Sequence, residues 1–405
     1  MMPMPITVVK FGGTSVASAE RIRLAARRVA EIHRRGGVVV VVSAMGHTTD
    51  QLFDLSRRIS PRPQKREMDM LLTAGERISV ALFSMALDAL GLEGVSFTGS
   101  QVGIITDNRH TDARILEIRG DRLRAALAEG KIPVVCGFQG VSLEKEITTL
   151  GRGGSDTTAV ALSAALTARE CVIYTDVEGV YTEDPNQFQG VKMIKKISYE
   201  EMLEMASQGA QVMHPRASAI AANFRVPVHV RSTFTNKTGT LITHQEGLER
   251  PHPKAITHST GLYMITLGQV PRSPKYLSQI ISLLTNAGVH IKFFFHGVSD
   301  AQSFDLSFIT PLSERDQVRS VIRGVMKKLK VKNLKETQDI CSISVIGIGI
   351  ASENRILSDI FTTLSGIRVH IEAVTTSELS VNIFLKEKMV VRAVDALLKK
   401  FNLKK

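Results

Sequence analysis

Two glycine clusters in this chain stand beside fixed charges. Lys10-Phe11-Gly12-Gly13-Thr14-Ser15 follows an apolar segment, Ile6 to Val9, and precedes a helical pattern. Glycines let backbone N–H groups approach an anion closely, and a helix N-terminus adds partial positive charge. Lys10 supplies a full charge suited to a phosphoryl group. A Gly-Gly pair after a strand also serves an ordinary tight turn, so this segment alone fits either use. Gly151-Arg152-Gly153-Gly154-Ser155-Asp156-Thr157-Thr158 is more specific, with three glycines in four residues, an arginine, and Ser-Asp opening an apolar helix. Such a nest suits an oxyanion or a carboxylate. Asp156 also fits as N-cap or first-turn acid, a role that needs neither Arg152 nor the glycines. The spacings of a Walker A loop and of a dinucleotide fingerprint are both absent. Two loops closing on one polyphosphate from different strands is the reading these clusters support.

Tyr174-Thr175-Asp176 and the following Val180-Tyr181-Thr182-Glu183-Asp184-Pro185-Asn186 form a turn-rich stretch. Its tyrosines suit an aromatic wall for a flat base or a structured loop with buried rings. Ser43-Ala44-Met45-Gly46-His47-Thr48-Thr49 follows a second apolar segment, and Thr73-Ala74-Gly75-Glu76-Arg77 sits in a helical pattern. Glu76 can pair with a substrate ammonium or belong to a solvated helix face.

Positioning these residues takes alternating strands and helices, and the chain offers them up to residue 243. Ile6 to Val9 reads as a strand, and Ser18 to Arg35 as a helix with Ile22, Ala25, Ala26, Val29 and Ile32 on one face. Val38 to Val42 is β-branched throughout, as in a buried parallel strand. A long helix is expected from Glu67 to Leu90, a strand at Ile132 to Val135, a helix at Ser155 to Ala168 and a strand at Cys171 to Thr175. Val226 to Val230 and Thr240 to Ile242 close this α/β unit, whose ligands belong at the C-terminal edge of the sheet. Residues 244–258, polar with two prolines, read as a connector. Beyond it lies an internal repeat: Leu277, Ser278, Ile280, Leu284 and Val289-His290-Ile291 recur as Leu357, Ser358, Ile360, Leu364 and Val369-His370-Ile371. Each copy reads strand, helix, strand, strand, helix.

Composition limits the function classes. In 405 residues, 43% hydrophobic and 22% charged, there is material for a large core and none of the bias of disorder. The longest unbroken apolar runs are far short of the ~20 residues that span a bilayer. The start Met-Met-Pro-Met-Pro-Ile lacks the pattern of a secretion signal. Cys136, Cys171 and Cys341 lack a CxxC spacing and read as small buried hydrophobes of a cytoplasmic protein. The net charge, 51 − 39 = +12, raises nucleic acid, yet aromatics are 5%, tryptophan is absent and the basic residues are scattered. Their densest cluster is Lys327, Lys328, Lys330, Lys332 and Lys335. An anionic small substrate accounts for the charge equally well; no nucleic acid and no membrane are expected as partners.

Taken in order, the Lys10 loop, Ser43 to Asp50, Glu67 to Arg77, Ser96-Phe97-Thr98-Gly99, Gly137-Phe138-Gln139-Gly140, the Gly151 to Ala159 loop and Tyr174 to Pro185 resemble the aspartokinase family. Coverage is end to end, and the form resembled is the short, monofunctional one, without a dehydrogenase extension. The resemblance implies an amino-acid-kinase-type three-layer αβα sandwich with a largely parallel sheet over 1–243. A connector at 244–258 and two α+β, ferredoxin-like ACT domains at 259–336 and 337–405 complete the expected division.

The implied activity is transfer of phosphate from ATP, carried with Mg²⁺, to the β-carboxylate of L-aspartate. This is the first step toward lysine, threonine and methionine, with no tightly bound cofactor and no protein metal site. Carried over by motif, Lys10 meets the transferring phosphoryl group, Phe11, Gly12 and Gly13 line the phosphates, and Asp156 orients Lys10. Arg152 holds a substrate carboxylate; Ser43, Thr49, Glu76, Phe138 and Ser155 surround aspartate. Tyr174, Thr175, Asp176, Val180, Tyr181, Thr182, Glu183, Asp184 and Pro185 match the nucleotide site. A lysine or threonine effector, and a homodimer or higher homo-oligomer through the ACT domains, are implied as well.

Several positions depart from the family. Asn186 stands where arginine is usual. Val270-Pro271-Arg272-Ser273-Pro274, Phe293-Phe294-Phe295-His296-Gly297 and Ala351-Ser352-Glu353-Asn354-Arg355 replace the usual effector-site turns, while Thr375-Thr376-Ser377-Glu378 is kept. Weak inhibition, or inhibition by a single effector, is therefore expected.

Overall fold

The structure, a computed structural model, describes residues 5–244, 251–299, 302–329, 331 and 333–405. The first four residues, residues 245–250 of the expected connector, and Lys330 and Lys332 of the basic cluster lie outside the described residues. The chain divides into two compact units, Met1–Tyr181 with Lys192–Leu248, and Thr182–Val191 with Glu249–Lys405.

Among the described residues, the first unit holds an eight-stranded and a four-stranded sheet. The large sheet runs Lys196–Ser198, Thr240–Thr243, Val228–Ser232, Glu170–Thr175, Ile6–Phe11, Gly37–Val42, Ile132–Cys136, Gly94–Phe97. All neighbours are parallel except Val228–Ser232 and Thr240–Thr243. Val38 to Val42 are fully buried, as a β-branched run covered on both faces must be. Side chains alternate along a strand. Val9 and Phe11 thus join one core with Ile22, Val29, Val80 and Phe83 from the helices Ala19–His33 and Lys65–Asp88. Val8 and Lys10 emerge on the other face, where the helix Gly154–Ala165 packs. That helix is buried from Gly154 to Ser163, which fits its small, apolar composition. The smaller sheet, Ile115–Ile118, Ile104–Thr106, Gln139–Ser142, Ile147–Thr149, leads its last strand into the second glycine cluster.

By length and composition the helix Lys65–Asp88 is apolar enough to cross a membrane. In the folded unit it buries Asp69, Thr73 and Glu76 together with Leu72, Val80, Phe83 and Leu87.

The second unit contains the repeat. Ala255–Pro271, the helix Pro274–Asn286, Phe293–Val298, Ser303–Pro311 and the helix Arg315–Leu329 form one copy. Asn333–Ile346, Asn354–Gly366, Ile371–Thr376, Ser380–Lys386 and Val390–Lys400 form the other. Their strands share one six-stranded sheet, joined antiparallel through Ala255–Pro271 and Asn333–Ile346. Ala255–Pro271 begins inside the segment read as a connector, so residues 255–258 are sheet. The altered turn before the first helix has a use of its own: Ser273 caps that helix and Pro274 takes the first helical position. Phe293 and Phe295 lie against Phe384, with ring centroids 4.8 and 6.3 Å away, beside Leu262, Met264, Ile309 and Ile340.

Thr182–Val191 belongs to this unit although the residues on either side of it do not. Ile256 N–H donates to Thr182 O at 2.8 Å, the Thr182 hydroxyl donates to Leu403 O at 2.7 Å, and Phe188 enters the core with Ile343 and Leu398.

Candidate active site

Lys10 leaves its strand on the face covered by Gly154–Ala165, and Asp156 sits in the first turn of that helix. The two form an ion pair of 2.6 Å with side chains 12% and 12% exposed. Strand alternation and helix placement thus join the two glycine clusters through their opposite charges.

The loops that follow three adjacent strands converge around Lys10. Gly12 N–H donates to Tyr174 O at 3.3 Å and Ser43 N–H donates to Phe11 O at 3.1 Å. Gly46 N–H donates to Gly13 O at 3.0 Å. A Cβ on Gly13 would stand 3.0 Å from Ala44 O and 3.1 Å from Gly46 O, so a larger residue would push these backbones apart by a few tenths of an ångström. The Ser15 and Thr233 hydroxyls are 2.7 Å apart, which ties in the turn after Val228–Ser232.

The second cluster is held as firmly. Gly153, at φ +66°, has the ring and Cβ of His214 where its own Cβ would be, 2.2 Å away. Phe138 adopts φ +69°, a conformation that costs a non-glycine residue about 1–3 kcal/mol. Its amide donates to Thr158 Oγ1 at 3.2 Å and its carbonyl accepts Leu150 N–H at 2.8 Å, locking Phe138 against the start of the helix that carries Ser155 and Asp156. Arg152 is exposed and has no ion pair among the described residues.

Glu76 is 3% exposed. Its Oε1 accepts the Ala44 amide at 3.2 Å, and Oε2 is buried with no partner among the described residues. Burial pushes its pKa up to about 7 from an ordinary 4.5, against the lowering effect of the backbone hydrogen bonds. Thr49 is half-buried in the first turn of the helix Thr48–Ile59.

On the other side, Thr175 donates to Asp176 Oδ1 at 3.0 Å, Val180 N–H donates to Thr240 Oγ1 at 2.8 Å, and Tyr181 donates to Glu178 at 3.0 Å. Lys237 pairs with the same Glu178 at 2.8 Å. Of the residues matched to the nucleotide site, Thr182, Glu183, Asp184 and Pro185 group with the second unit.

Three supports were not singled out from sequence. Asp69, fully buried, meets His110 Nδ1 at 2.7 Å and accepts from Thr149 Oγ1 at 2.5 Å and from Thr111 N–H at 3.1 Å. Arg216 donates to Leu150 O at 2.5 Å and Ala113 O at 2.8 Å, clamping the residue just before Gly151. His214, which caps the helix Pro215–Phe224, is the third. The His-Pro pair was the available signal, since proline favours the first helical position.

A cationic lysine, a buried carboxylate and two glycine loops at the C-terminal edge of a largely parallel sheet define a class: kinases that bring an anionic acceptor to a nucleotide. The Amino acid kinase family profile matches residues 5–232, and an ACT domain profile matches residues 343–401. The chain is 41% identical over 402 residues to the aspartokinase of Bacillus sp. (strain MGA3), covering 99% of this chain and 98% of that one. It is 40% identical over 404 residues to the aspartate kinase of Pseudomonas putida, covering 99% and 98%. The crystal structure of E. coli aspartokinase III in complex with aspartate and ADP superposes with a TM-score of 0.82 at 23% identity, covering 98% of this chain and all of that one. The chain belongs to the aspartokinase family.

Proposed function

We propose that this protein transfers the γ-phosphoryl group of ATP to the β-carboxylate of L-aspartate, giving 4-phospho-L-aspartate and ADP. A carboxylate oxygen forms the new bond to phosphorus as the bond to the β-phosphate oxygen breaks. The carboxylate is already a competent nucleophile, so no general base is required. The difficulty is bringing an anion against a polyanion, and catalysis rests on positioned cations and N–H donors. The observation that carries this reading is the 2.6 Å Lys10–Asp156 pair, which fixes a lysine between the two glycine loops.

In this reading Lys10 faces the transferring group, Phe11, Gly12 and Gly13 flank the phosphates, and Asp156 holds Lys10 in place. Arg152, unpaired and exposed, takes an aspartate carboxylate by its two-pronged fork. The orphaned oxygen of Glu76 receives the substrate ammonium. Ser43, Thr49, Phe138 and Ser155 shape the rest of the acceptor site. Tyr174, Thr175, Asp176, Val180 and Tyr181, with Thr182, Glu183, Asp184 and Pro185, serve the nucleotide. Mg²⁺ enters with ATP, bound mostly by phosphate and water.

The two sheet-sharing repeats, residues 259–336 and 337–405, are read as ACT domains that take lysine or threonine. Their exposed edge strands, Phe293–Val298 and Ile371–Thr376, suit pairing between copies of the chain in a cytoplasmic homo-oligomer.

The test is ADP release that depends on ATP, Mg²⁺ and aspartate, with the acyl phosphate trapped by hydroxylamine as aspartyl hydroxamate. Preference for glutamate, acetylglutamate or UMP over aspartate would overturn the substrate.

A further inference from the structure

The sheet face that carries Val9 and Phe11 is covered by the helix Ala19–His33 only in part. Beside that helix, over Glu170–Thr175 and Val228–Ser232, a cavity of about 340 Å³ remains, within the size range of small-molecule sites. Its floor follows from register: Thr7 lies beside Glu170, His229 beside Val172, and Arg231 beside Tyr174. Its wall is helical, with Arg28 and Glu31, and Arg35 just beyond the helix end.

The charges do not balance. Arg28, Arg35, Arg169 and Arg231 face two acids, Glu31 and Glu170. Both acids are already engaged, Glu31 with Arg28 at 3.6 Å and Glu170 with Arg169 at 2.8 Å and His229 at 3.8 Å. Arg35 and Arg231 have no carboxylate partner among the described residues. Arg28 is tied by its terminal nitrogens to Asn236 Oδ1 and Thr235 O, yet among the described residues its buried Nε has no partner, nor has Thr235 Oγ1. A buried guanidinium nitrogen without an acceptor is costly unless something supplies one.

This place differs from the glycine loops. Thr7 and Glu170 open their strands, whereas Gly12 follows the far end, about 17 Å along at strand rise, and where the cavity reaches that end, at Tyr174 and Arg231, it lies on the sheet face opposite Lys10. Tyr174 is the one lining residue also matched to the nucleotide site. Its ring is stacked on Phe11, centroids 4.9 Å apart and 5° from parallel, and the residue is 4% exposed, so it belongs to the cavity floor.

We propose that this cavity is a second binding site, for a compact small molecule carrying two or more oxyanion groups, phosphate or carboxylate. The arginine fork matches either group in two-pronged fashion, and two guanidinium groups without a carboxylate partner, Arg231 donating only to Lys237 O at 3.4 Å, together with an orphan Nε ask for more than one charge. The inference does not depend on the aspartate-kinase reading.

Calorimetric titration of the full chain with inorganic pyrophosphate and, separately, with citrate, without Mg²⁺, tests it. We expect at least one probe to bind with a Kd of about 1 mM or tighter. Arg35→Ala, and independently Arg231→Ala, should weaken that binding about tenfold, as loss of a charge-assisted contact does. Lys10→Ala should leave it within about twofold, and Arg35→Ala should leave turnover with ATP and aspartate within about twofold, because neither residue belongs to the other site. Binding by pyrophosphate alone identifies a phosphate ligand, by citrate alone a carboxylate one. The proposal is overturned if neither probe binds by about 10 mM, if both arginine variants bind like the wild type, or if Lys10→Ala abolishes the binding.

Discussion

Glu76 and Ala44 are joined by a single hydrogen bond of 3.2 Å, from the Ala44 amide to Glu76 Oε1, and the other carboxylate oxygen is buried without a donor among the described residues. With its pKa raised to about 7 by burial, the group is neutral below neutrality and ionised above it. If it receives the ammonium of aspartate, kcat/KM for aspartate should rise with pH through about 7. Glu76→Gln should lower kcat/KM and flatten that limb. A wild-type profile with no inflection there, or an unchanged one in the variant, refutes the role. Stability runs the other way: a carboxyl whose folded pKa lies above its unfolded 4.5 loses stabilisation as pH climbs from there to about 7. Urea unfolding above neutrality should therefore find Glu76→Gln more stable relative to wild type than it is in acid.

Lys10→Ala and Asp156→Ala should each lower kcat by ~10²-fold or more, because each removes one member of the charge pair at the site of transfer. The double variant should lose far less than the product of the two effects, since the residues touch. Wild-type turnover in either well-folded single variant contradicts the assignment.

Arg152→Ala should raise the KM for aspartate, with a smaller fall in kcat as positioning loosens. Its exposure means that no folding defect accompanies the change. Steady-state kinetics with aspartate varied at saturating ATP separates the two effects.

Asp69→Ala would strand His110, Thr149 and the Thr111 amide around a buried gap. A loss of about 2–4 kcal/mol is expected, the scale of breaking a buried polar network. Denaturant unfolding measures it, and Asp69→Asn, which keeps an acceptor, should recover part of the loss.

Lysine and threonine, titrated separately and together, should inhibit weakly or singly. Phe293 and Phe295 fill the space beside Phe384 with hydrocarbon and offer no partner for an ammonium or a carboxylate. Strong synergistic inhibition at low effector concentration would refute this.

The placement of Lys10 at a strand end and of Asp156 in the first turn of a helix was legible because the signals are local: a β-branched run, a glycine pair, a helix opened by Ser-Asp. The repeat was legible for the same reason, each copy bearing its own apolar periodicity. Asp69, His110 and Thr149 were not, since their meeting spans 41 and 80 residues of chain and exists only once the four-stranded sheet and the helix Lys65–Asp88 are assembled. The arginine-lined cavity was hidden because alternation along a strand says which side chains share a face but not where a covering helix stops. The stretch after Tyr181 looked like a continuation of the loop before it. Its place in the second unit rests on the backbone bond from Ile256 to Thr182 and on Phe188 entering that unit's core.

Because Thr182–Val191 packs with the second unit while both its flanks stay with the first, no single cut yields two intact halves. A fragment ending near residue 248 keeps the ten-residue insert but lacks the partners of Thr182 and Phe188. A fragment starting there lacks the insert and leaves a hole where the Phe188 ring belongs. Genetic splitting, limited proteolysis and transplantation of the regulatory portion onto another kinase all meet the same obstacle. The catalytic and regulatory portions are interleaved in the thread itself.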